Sequence, residues 1–364
     1  MVKTELLIVG GGPAGLAAAA SASKLGVEVL VVDEGLLPGG QLVKQTHKFF
    51  GSGEHYAGIR GIDIPVILSN EGINTGRVRI MTETSALGSY EDGVVTALTG
   101  ENDYFKIKAE KILMATGAAE KTLAFPGNDL PGVYGAGAVQ TLMNQFGVAP
   151  GHRVLMVGAG NIGLIVSYQL LQGGIDVAAV VEGAGHIGGY LVHASKLTRA
   201  GVPILTRHTI LEAKGSERVE KVTIAQLDEK WQVVEGTQRE LDVDVVCLAV
   251  GLTPVAEMLR MAGCEFAWVP ELGGHVPVRD IYLRTTVPGI LVAGDVAGVE
   301  EASSAMVEGR LAGATVALDL GKNVEEARAQ IEQCHRSLES LRNGPVGEKI
   351  RAGLARVEGG NFGA

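Results

Sequence analysis

Two glycine-spaced runs carry the chemistry this sequence declares most openly: Gly10-Gly11-Gly12-Pro13-Ala14-Gly15 near the start, and Gly158-Ala159-Gly160-Asn161-Ile162-Gly163 in the middle. In a strand–turn–helix setting the first glycine makes a tight turn, the second lets backbone approach a pyrophosphate, and the third packs helix on strand. The pyrophosphate rests on backbone N–H groups left free at a helix N-terminus. Two such loops imply two nucleotides, and two nucleotides imply electron transfer between them. Glycine supplies 52 of the 364 residues, so the spacing alone carries little and the flanking elements must decide.

Residues 5–9 lead into the first loop as an apolar strand, and the alanine-rich run 16–25 follows as a helix. A second strand, 27–32, ends at Asp33-Glu34. An acid about 20 residues past the glycines is placed to bind a ribose hydroxyl. The second loop repeats the order, with strand 153–157, helix 161–172, strand 177–181 and Glu182 at its end. No Lys or Arg follows until Lys196. A 2′-phosphate needs a cation at this point, whereas a carboxylate repels it and accepts the 2′-hydroxyl, so the second loop points to NAD rather than NADP.

Each half then carries a later apolar strand ending near glycine: 109–117, closing on Ala115-Thr116-Gly117, and 243–251, closing on Gly251. The parallel is a repeat of architecture. Residues 118–151, rich in Pro and Gly, read as the crossing between two domains, with the return near 251–254. The charged stretches 83–111 and 214–245 alternate as solvent-facing β-structure. A further strand, 286–295, delivers Asp295 behind Gly294, and a helix follows to 318. Asp295 is placed to accept a bond from a sugar-like hydroxyl, and that helix N-terminus to favour negative charge on a reduced ring. Beyond it, 323–342 reads as a charged helix, Gly344-Pro345 as a breaker and 348–357 as a shorter helix, either solvated or partner-docking.

Lys and Arg total 31 against 41 Asp and Glu, a formal net charge of −10 with no basic tract, which argues against nucleic acid as a partner. No window reaches the ~18 uninterrupted apolar residues of a membrane span. The early apolar run fits a strand better than a secretory signal, because Glu5 and the glycine loop interrupt it; a cytoplasmic location is expected. Cys247, Cys264 and Cys334 form no C-x-x-C and no set of four, so neither a thiol relay nor an iron–sulfur cluster has an evident carrier, and no metal site is expected. Cys247, inside the apolar run 245–250, reads as a small buried hydrophobe.

These ordered motifs, over residues 1–322, resemble the FAD-dependent pyridine nucleotide oxidoreductase superfamily in its compact thioredoxin-reductase-like branch, without the redox C-x-x-C. The resemblance implies an α/β fold of two Rossmann-like three-layer dinucleotide-binding domains, the second inserted into the first. Residues 1–117 and 247–322 would bind FAD, 118–246 would bind NAD, and 323–364 would form a helical tail. It places Gly10, Gly12, Pro13, Ala14 and Gly15 on the FAD pyrophosphate, and Asp33 with Glu34 at the adenosine ribose. Gly40 and Gln41 fall beside the flavin and Thr116-Gly117 at a strand end. Gly294, Asp295, Glu301, Ala302 and Ser303 fall at the ribityl chain or flavin-side phosphate. Gly158, Gly160, Asn161, Ile162, Gly163, Glu182 and Gly251 fall on the NAD site.

Within the superfamily, residues 125–133 followed by Gly135-Ala136-Gly137-Ala138 resemble the flavin-binding chains of sarcosine oxidase (the alpha subunit), opine oxidase (the A subunit), proline and hydroxyproline dehydrogenases, and hydrogen cyanide synthase. In such assemblies a neighbouring flavoprotein subunit oxidises the amine. That implies hydride exchange between NAD(H) and FAD here, with the partner being a second flavoprotein subunit. Many relatives carry a cysteine-rich iron–sulfur extension that this sequence lacks, so a cluster would come from another chain, such as a small iron–sulfur protein. His47 and Lys48 follow Gln41 closely enough to approach the flavin as proton shuttle and cation, or else face solvent. A nucleotide-binding scaffold, a stand-alone NADH:acceptor oxidoreductase, an oxygen-using flavin monooxygenase and a homo-oligomeric state all stay open at this stage.

Overall fold

Strand Val2–Val9 is buried on both faces, with Leu6 and Ile8 in one core cluster and Leu7 and Val9 in another. A parallel strand covered on both sides needs such a continuous apolar run rather than an alternating one. The computed structural model describes residues 1–359 and divides into two compact units, residues 1–119 with those from 252 onward, and residues 120–251.

In the first unit the parallel order is Val78–Met81, Val29–Val32, Val2–Val9, Asp103–Met114, with Ile290–Val292 pairing the last. Val9 is level with both Val32 and Met114, so the first glycine loop opens at a shared carboxyl edge, where ligands of open α/β sheets bind. A hairpin, Thr84–Ser89 and Val94–Thr99, extends the sheet antiparallel to Asp103–Met114. Helix Pro13–Lys24 begins at a proline, whose missing N–H costs nothing in a first turn. Its small side chains allow helix Ala302–Asp319 to come close: a Cβ on Gly313 would lie 2.6 Å from the Ala18 carbonyl oxygen, and Ser21 Oγ donates to the Arg310 carbonyl at 2.8 Å. Helix Val324–Leu341 adds Ile331, Cys334 and Leu338 to the cluster that holds Leu6 and Ile8.

The second unit has five parallel strands in the order Ile204–Thr206, Asp176–Glu182, Arg153–Val157, Val245–Leu248, Val133–Gly135. Val154 and Met156 pack with side chains of helices Asn161–Gln172 and Leu191–Arg199, such as Leu164 and Leu197. Leu155 and Val157 pack against the antiparallel sheet His208–Lys214, Lys221–Gln226, Arg239–Asp242. The unit is therefore three layers deep: helices, parallel sheet, antiparallel sheet.

Several sequence expectations give way. Residues 118–151 are not simply a crossing, because Val133–Gly135 joins the second sheet and helix Ala136–Gln140 buries Ala136 and Val139 in its core. The glycines that suggested a connector include Gly127 and Gly132, turn residues at φ 79° and 108°. Strand Val245–Leu248 pairs within the second sheet, so the units part after Gly251 and not at 247. The β-stretches are not wholly solvent-facing, since Val95, Ala97, Ile107, Val222 and Ile224 are fully buried. Gly344-Pro345 opens helix Gly344–Leu354 instead of breaking one: Asn343 Oδ1 accepts the Gly344 N–H at 2.8 Å, and proline is tolerated in a first turn. The end of the expected tail, 360–364, lies outside the described residues. Among the described residues, no helix is long and apolar enough to cross a membrane.

Candidate functional site

The two glycine loops are held by matching sets of bonds. Gly10 N–H donates to the Val32 carbonyl at 2.9 Å and Gly158 N–H to the Val181 carbonyl at 2.7 Å. The next residue of each loop donates to the acid that ends the neighbouring strand: Gly11 to Asp33 Oδ2 at 2.6 Å, Ala159 to Glu182 Oε2 at 2.8 Å. The second oxygen of each acid accepts the N–H two residues onward, from Gly35 at 2.8 Å and Ala184 at 2.9 Å. The carbonyls of Gly11 and Ala159 in turn accept N–H bonds from Gly39 at 2.7 Å and Gly189 at 2.9 Å. Asp33 and Glu182 thus fasten their loops, and each carboxylate oxygen keeps a second lone pair for a ribose hydroxyl.

The glycines divide by what surrounds them. A Cβ on Gly10 would lie 2.7 Å from the Ala115 carbonyl carbon, and one on Gly158 would lie 2.9 Å from that of Ala249. On Gly15 it would lie 3.1 Å from the Gly10 carbonyl carbon, and on Gly163 3.1 Å from that of Gly158. Gly12 and Gly160 are different: a Cβ on Gly12 would meet only the Gly40 Cα, at 4.0 Å, and one on Gly160 nothing within 4 Å. Their φ angles, −73° and −74°, suit any residue. The helices that follow, Pro13–Lys24 and Asn161–Gln172, start with no side-chain cap and no acid in the first turn. Uncapped N–H groups beside open space suit a pyrophosphate, so each loop fits a dinucleotide.

Around the first loop most of the expected residues come together. Gly39 and Gly40, at φ 134° and 52°, fold back so that a Cβ on Gly40 would lie 2.9 Å from the Gly12 Cα. Gln41 is exposed on the 3₁₀ turn Gly40–Lys44. Gly294 closes on the loop's helix, a Cβ there falling 2.8 Å from that of Ala14. Thr116 Oγ1 donates to the Val255 carbonyl at 2.6 Å, and Gly117 follows at φ 73°. Glu301 stands at the N-cap position of helix Ala302–Asp319 without a side-chain capping bond, with Ala302 and Ser303 half-buried in its first turn, while Glu34 stays exposed. His47 is half-buried and stacks on Phe49 at 5.8 Å, and Lys48 is exposed with its backbone bridged to Arg60. The buried cation of this segment is instead Lys44, 8% exposed, which nothing in the sequence distinguishes from Lys48.

Behind Gly294-Asp295 lies a charge network that the sequence did not announce. Glu308 Oε2 accepts the Gly294 N–H at 2.9 Å, and Glu308 Oε1 meets Arg342 Nη2 at 2.6 Å and Arg279 Nη2 at 3.4 Å. Arg342 also holds Glu300, at 2.7 and 3.1 Å. Burial raises the Asp295 carboxyl to about 7, with Glu308 and Glu300 pushing the same way and only the Glu300 N–H opposing. Burial also raises Glu300, and Glu308 adds to it. Burial works against the Arg342 charge, but Glu308 and Glu300 outweigh it and drive its pKa up.

At the second loop, Asn161 Oδ1 accepts the Tyr190 N–H at 2.8 Å, and Ile162 is partly exposed. Gly251, at φ 111°, lies beyond the loop, and its carbonyl accepts the Lys121 N–H at 2.9 Å. Sequence reasoning missed Arg207. Its N–H donates to the Ala184 carbonyl at 2.9 Å, and a Cβ on Gly185 would lie 3.3 Å from its guanidinium carbon. A local scan for cations after Glu182 could not find it, because strand pairing, not proximity in sequence, brings it there.

The sequence pattern of the family described as pyridine nucleotide-disulphide oxidoreductase matches residues 4–321. The chain belongs to this family. It is 29% identical to the A subunit of opine oxidase from Agrobacterium tumefaciens (strain Ach5), over 87% of this chain and 66% of that one. It is 28% identical to the alpha subunit of sarcosine oxidase from Rhizobium meliloti (strain 1021), over 87% of this chain and 31% of that one. Among solved structures, L-proline dehydrogenase from P. horikoshii is similar at a TM-score of 0.70 and 25% identity, covering 91% of this chain and 59% of that one. The chain therefore spans two thirds or less of these relatives. Membership in the family makes it an oxidoreductase of the Rossmann type, in which FAD and pyridine nucleotide binding are implied.

Proposed function

We propose that the chain is an FAD-dependent oxidoreductase that moves hydride between NAD(H) and flavin, as the electron-handling subunit of a larger amine or amino-acid dehydrogenase or oxidase. The observation that carries this reading is the duplicated arrangement of loop, acid and returning glycine, with open space beside Gly12 and Gly160 in each copy. FAD is assigned to the unit of residues 1–119 and 252 onward, where Gly39-Gly40 and Gly294-Asp295 converge on the first loop, and NAD to the unit of residues 120–251.

When bound, the flavin supplies two-electron chemistry by taking or giving a hydride. The chain's own residues bind and orient. Uncapped N–H groups hold each pyrophosphate, Asp33 and Glu182 accept ribose hydroxyls, and Asp295 accepts a hydroxyl on the flavin side. Orientation of two reactants within one protein is itself a large part of such a rate. His47 is assigned proton movement, and Lys48 stabilisation of negative charge at the ring. Disulfide reduction is not assigned. All three cysteines are free and buried, and burial pushes each thiol up, Cys334 to about 11, away from the nucleophilic thiolate.

Relatives named as subunits support a partner chain, taken to be a second flavoprotein, with any cluster on a separate iron–sulfur protein. Glu182 supports NADH over NADPH, because a carboxylate at the ribose accepts the 2′-hydroxyl and repels a 2′-phosphate. Flavin reduction by the two nucleotides under matched conditions tests the assignment: NADH is expected to be faster, and equal or faster reduction by NADPH contradicts it.

A further inference from the structure

Strand Asp176–Glu182 ends in Gly183-Ala184-Gly185, and two side chains from elsewhere lie against this short loop. A Cβ on Gly183 would lie 2.5 Å from Cζ3 and 3.1 Å from Cη2 of Trp231, so the indole packs directly on the glycine. A Cβ on Gly185 would lie 3.3 Å from Cζ, Nε and Nη2 of Arg207. The two glycines are separated by one residue, so their Cα atoms stand no more than about 7 Å apart. Indole and guanidinium therefore rest on neighbouring points of one loop, immediately after the acid assigned to the ribose.

Both residues hold an uncommon backbone conformation. Arg207 and Trp231 are non-glycine residues at φ 52° and 62°. Each is fixed by its surroundings: Leu227 N–H donates to the Arg207 carbonyl at 2.6 Å, and Trp231 N–H to the Asp228 carbonyl at 3.2 Å. Asp228 Oδ1 accepts from Lys230 at 2.8 Å and from Gln232 at 2.9 Å, tying down the turn that carries the indole. Backbone strain of this sort collects at ligand clamps. Trp231 is nevertheless 63% exposed, leaving a large aromatic surface in water. A flat ligand laid on it would recover that contact, and the planar guanidinium offers a second stacking surface.

We propose that Trp231 and Arg207 seat the adenine ring of the nucleotide bound at the second glycine loop, resting on the reading of that loop as a pyridine nucleotide site. Adenine is the flat, polarisable group that one ribose joins to the hydroxyls facing Glu182. Specificity at this end then comes from outside the glycine motif, from Arg207 between strands Ile204–Thr206 and His208–Lys214 and from Trp231 in the hairpin between Lys221–Gln226 and Arg239–Asp242.

The test uses ADP-ribose, which carries adenosine and pyrophosphate but no nicotinamide. The chain has two tryptophans, so Trp268→Phe leaves Trp231 as the reporter. Titrating ADP-ribose into the flavin-loaded Trp268→Phe protein is expected to quench the remaining indole emission to saturation. Trp231→Ala should raise the ADP-ribose Kd about tenfold, the scale of one lost base–aromatic stack, with Trp231→Phe restoring most of the affinity. Arg207→Ala should weaken binding as well, and Arg207→Lys, which keeps the charge but not the plane, should not rescue it. Bound flavin content, read from its absorbance, stays unchanged throughout. Wild-type affinity in Trp231→Ala overturns the adenine seat while leaving the nucleotide loop intact. Failure of the unsubstituted protein to bind ADP-ribose overturns the pyridine nucleotide reading itself, and the seat with it.

Discussion

Gly12 and Gly160 occupy positions where the chain tolerates a methyl group and the pyrophosphate proposed to bind there would not. Gly12→Ala is therefore expected to leave the unfolding midpoint of the flavin-free chain unchanged while abolishing flavin retention, read as absorbance after gel filtration. Gly15→Ala acts on the fold instead, since its Cβ has to displace backbone of the loop, and should cost about 1–3 kcal/mol in urea unfolding. The Asp295 carboxyl, raised to about 7 in the folded chain, gives a pH signature. Between pH 4 and 7 the folded chain keeps a proton that the unfolded chain has lost. Stability of the flavin-free protein is thus full below about pH 4 and declines as pH rises through 7. Asp295→Asn should match wild type at pH 4 and melt higher than wild type at pH 8; identical melting at pH 8 contradicts the account. At this scale the glycines and their acids were legible because their spacing is local. Lys44, Arg207, Trp231 and Arg342 were not, because their surroundings come from distant parts of the sequence.

Strand Arg153–Val157 and helix Asn161–Gln172 fall where the sequence places them, since a glycine turn fixes one end of the helix and Gly173-Gly174 the other. The N-terminal helix starts earlier than expected, at Pro13, because proline there acts as an initiator. Residues 118–151 were misjudged for a related reason: their glycines punctuate a short edge strand and helix, and a strand as brief as Val133–Gly135 has no periodicity to read. The tail differs again. Its amphipathic pattern announced helix Val324–Leu341, but not that Arg342 reaches back to Glu300 and Glu308 beside the Asp295 turn. Removing one partner of a buried ion pair leaves an uncompensated charge, so Arg342→Met should cost about 3–5 kcal/mol in urea unfolding. Arg336→Ala, which breaks an exposed pair with Glu332 at 3.9 Å, should cost about 0–1 kcal/mol. Equal costs for the two variants contradict a role for the tail in holding the Asp295 turn.

Across the whole molecule, one local grammar is used twice, and it was legible because both copies need the same residues for the same physical reasons. Each unit ends an apolar strand in a glycine turn, starts an uncapped helix, fastens the turn to an acid and lays a second glycine segment over it. Sequence spacing exposes that grammar but does not say whether both nucleotides react. Anaerobic addition of NADH to the purified, flavin-loaded protein decides this, with flavin absorbance followed in wild type and in Gly160→Ala. The account predicts rapid bleaching in wild type and loss of bleaching in Gly160→Ala, with its flavin still bound. Flavin that stays oxidised in wild type under NADH contradicts it, and makes the second loop a seat for a nucleotide that does not react.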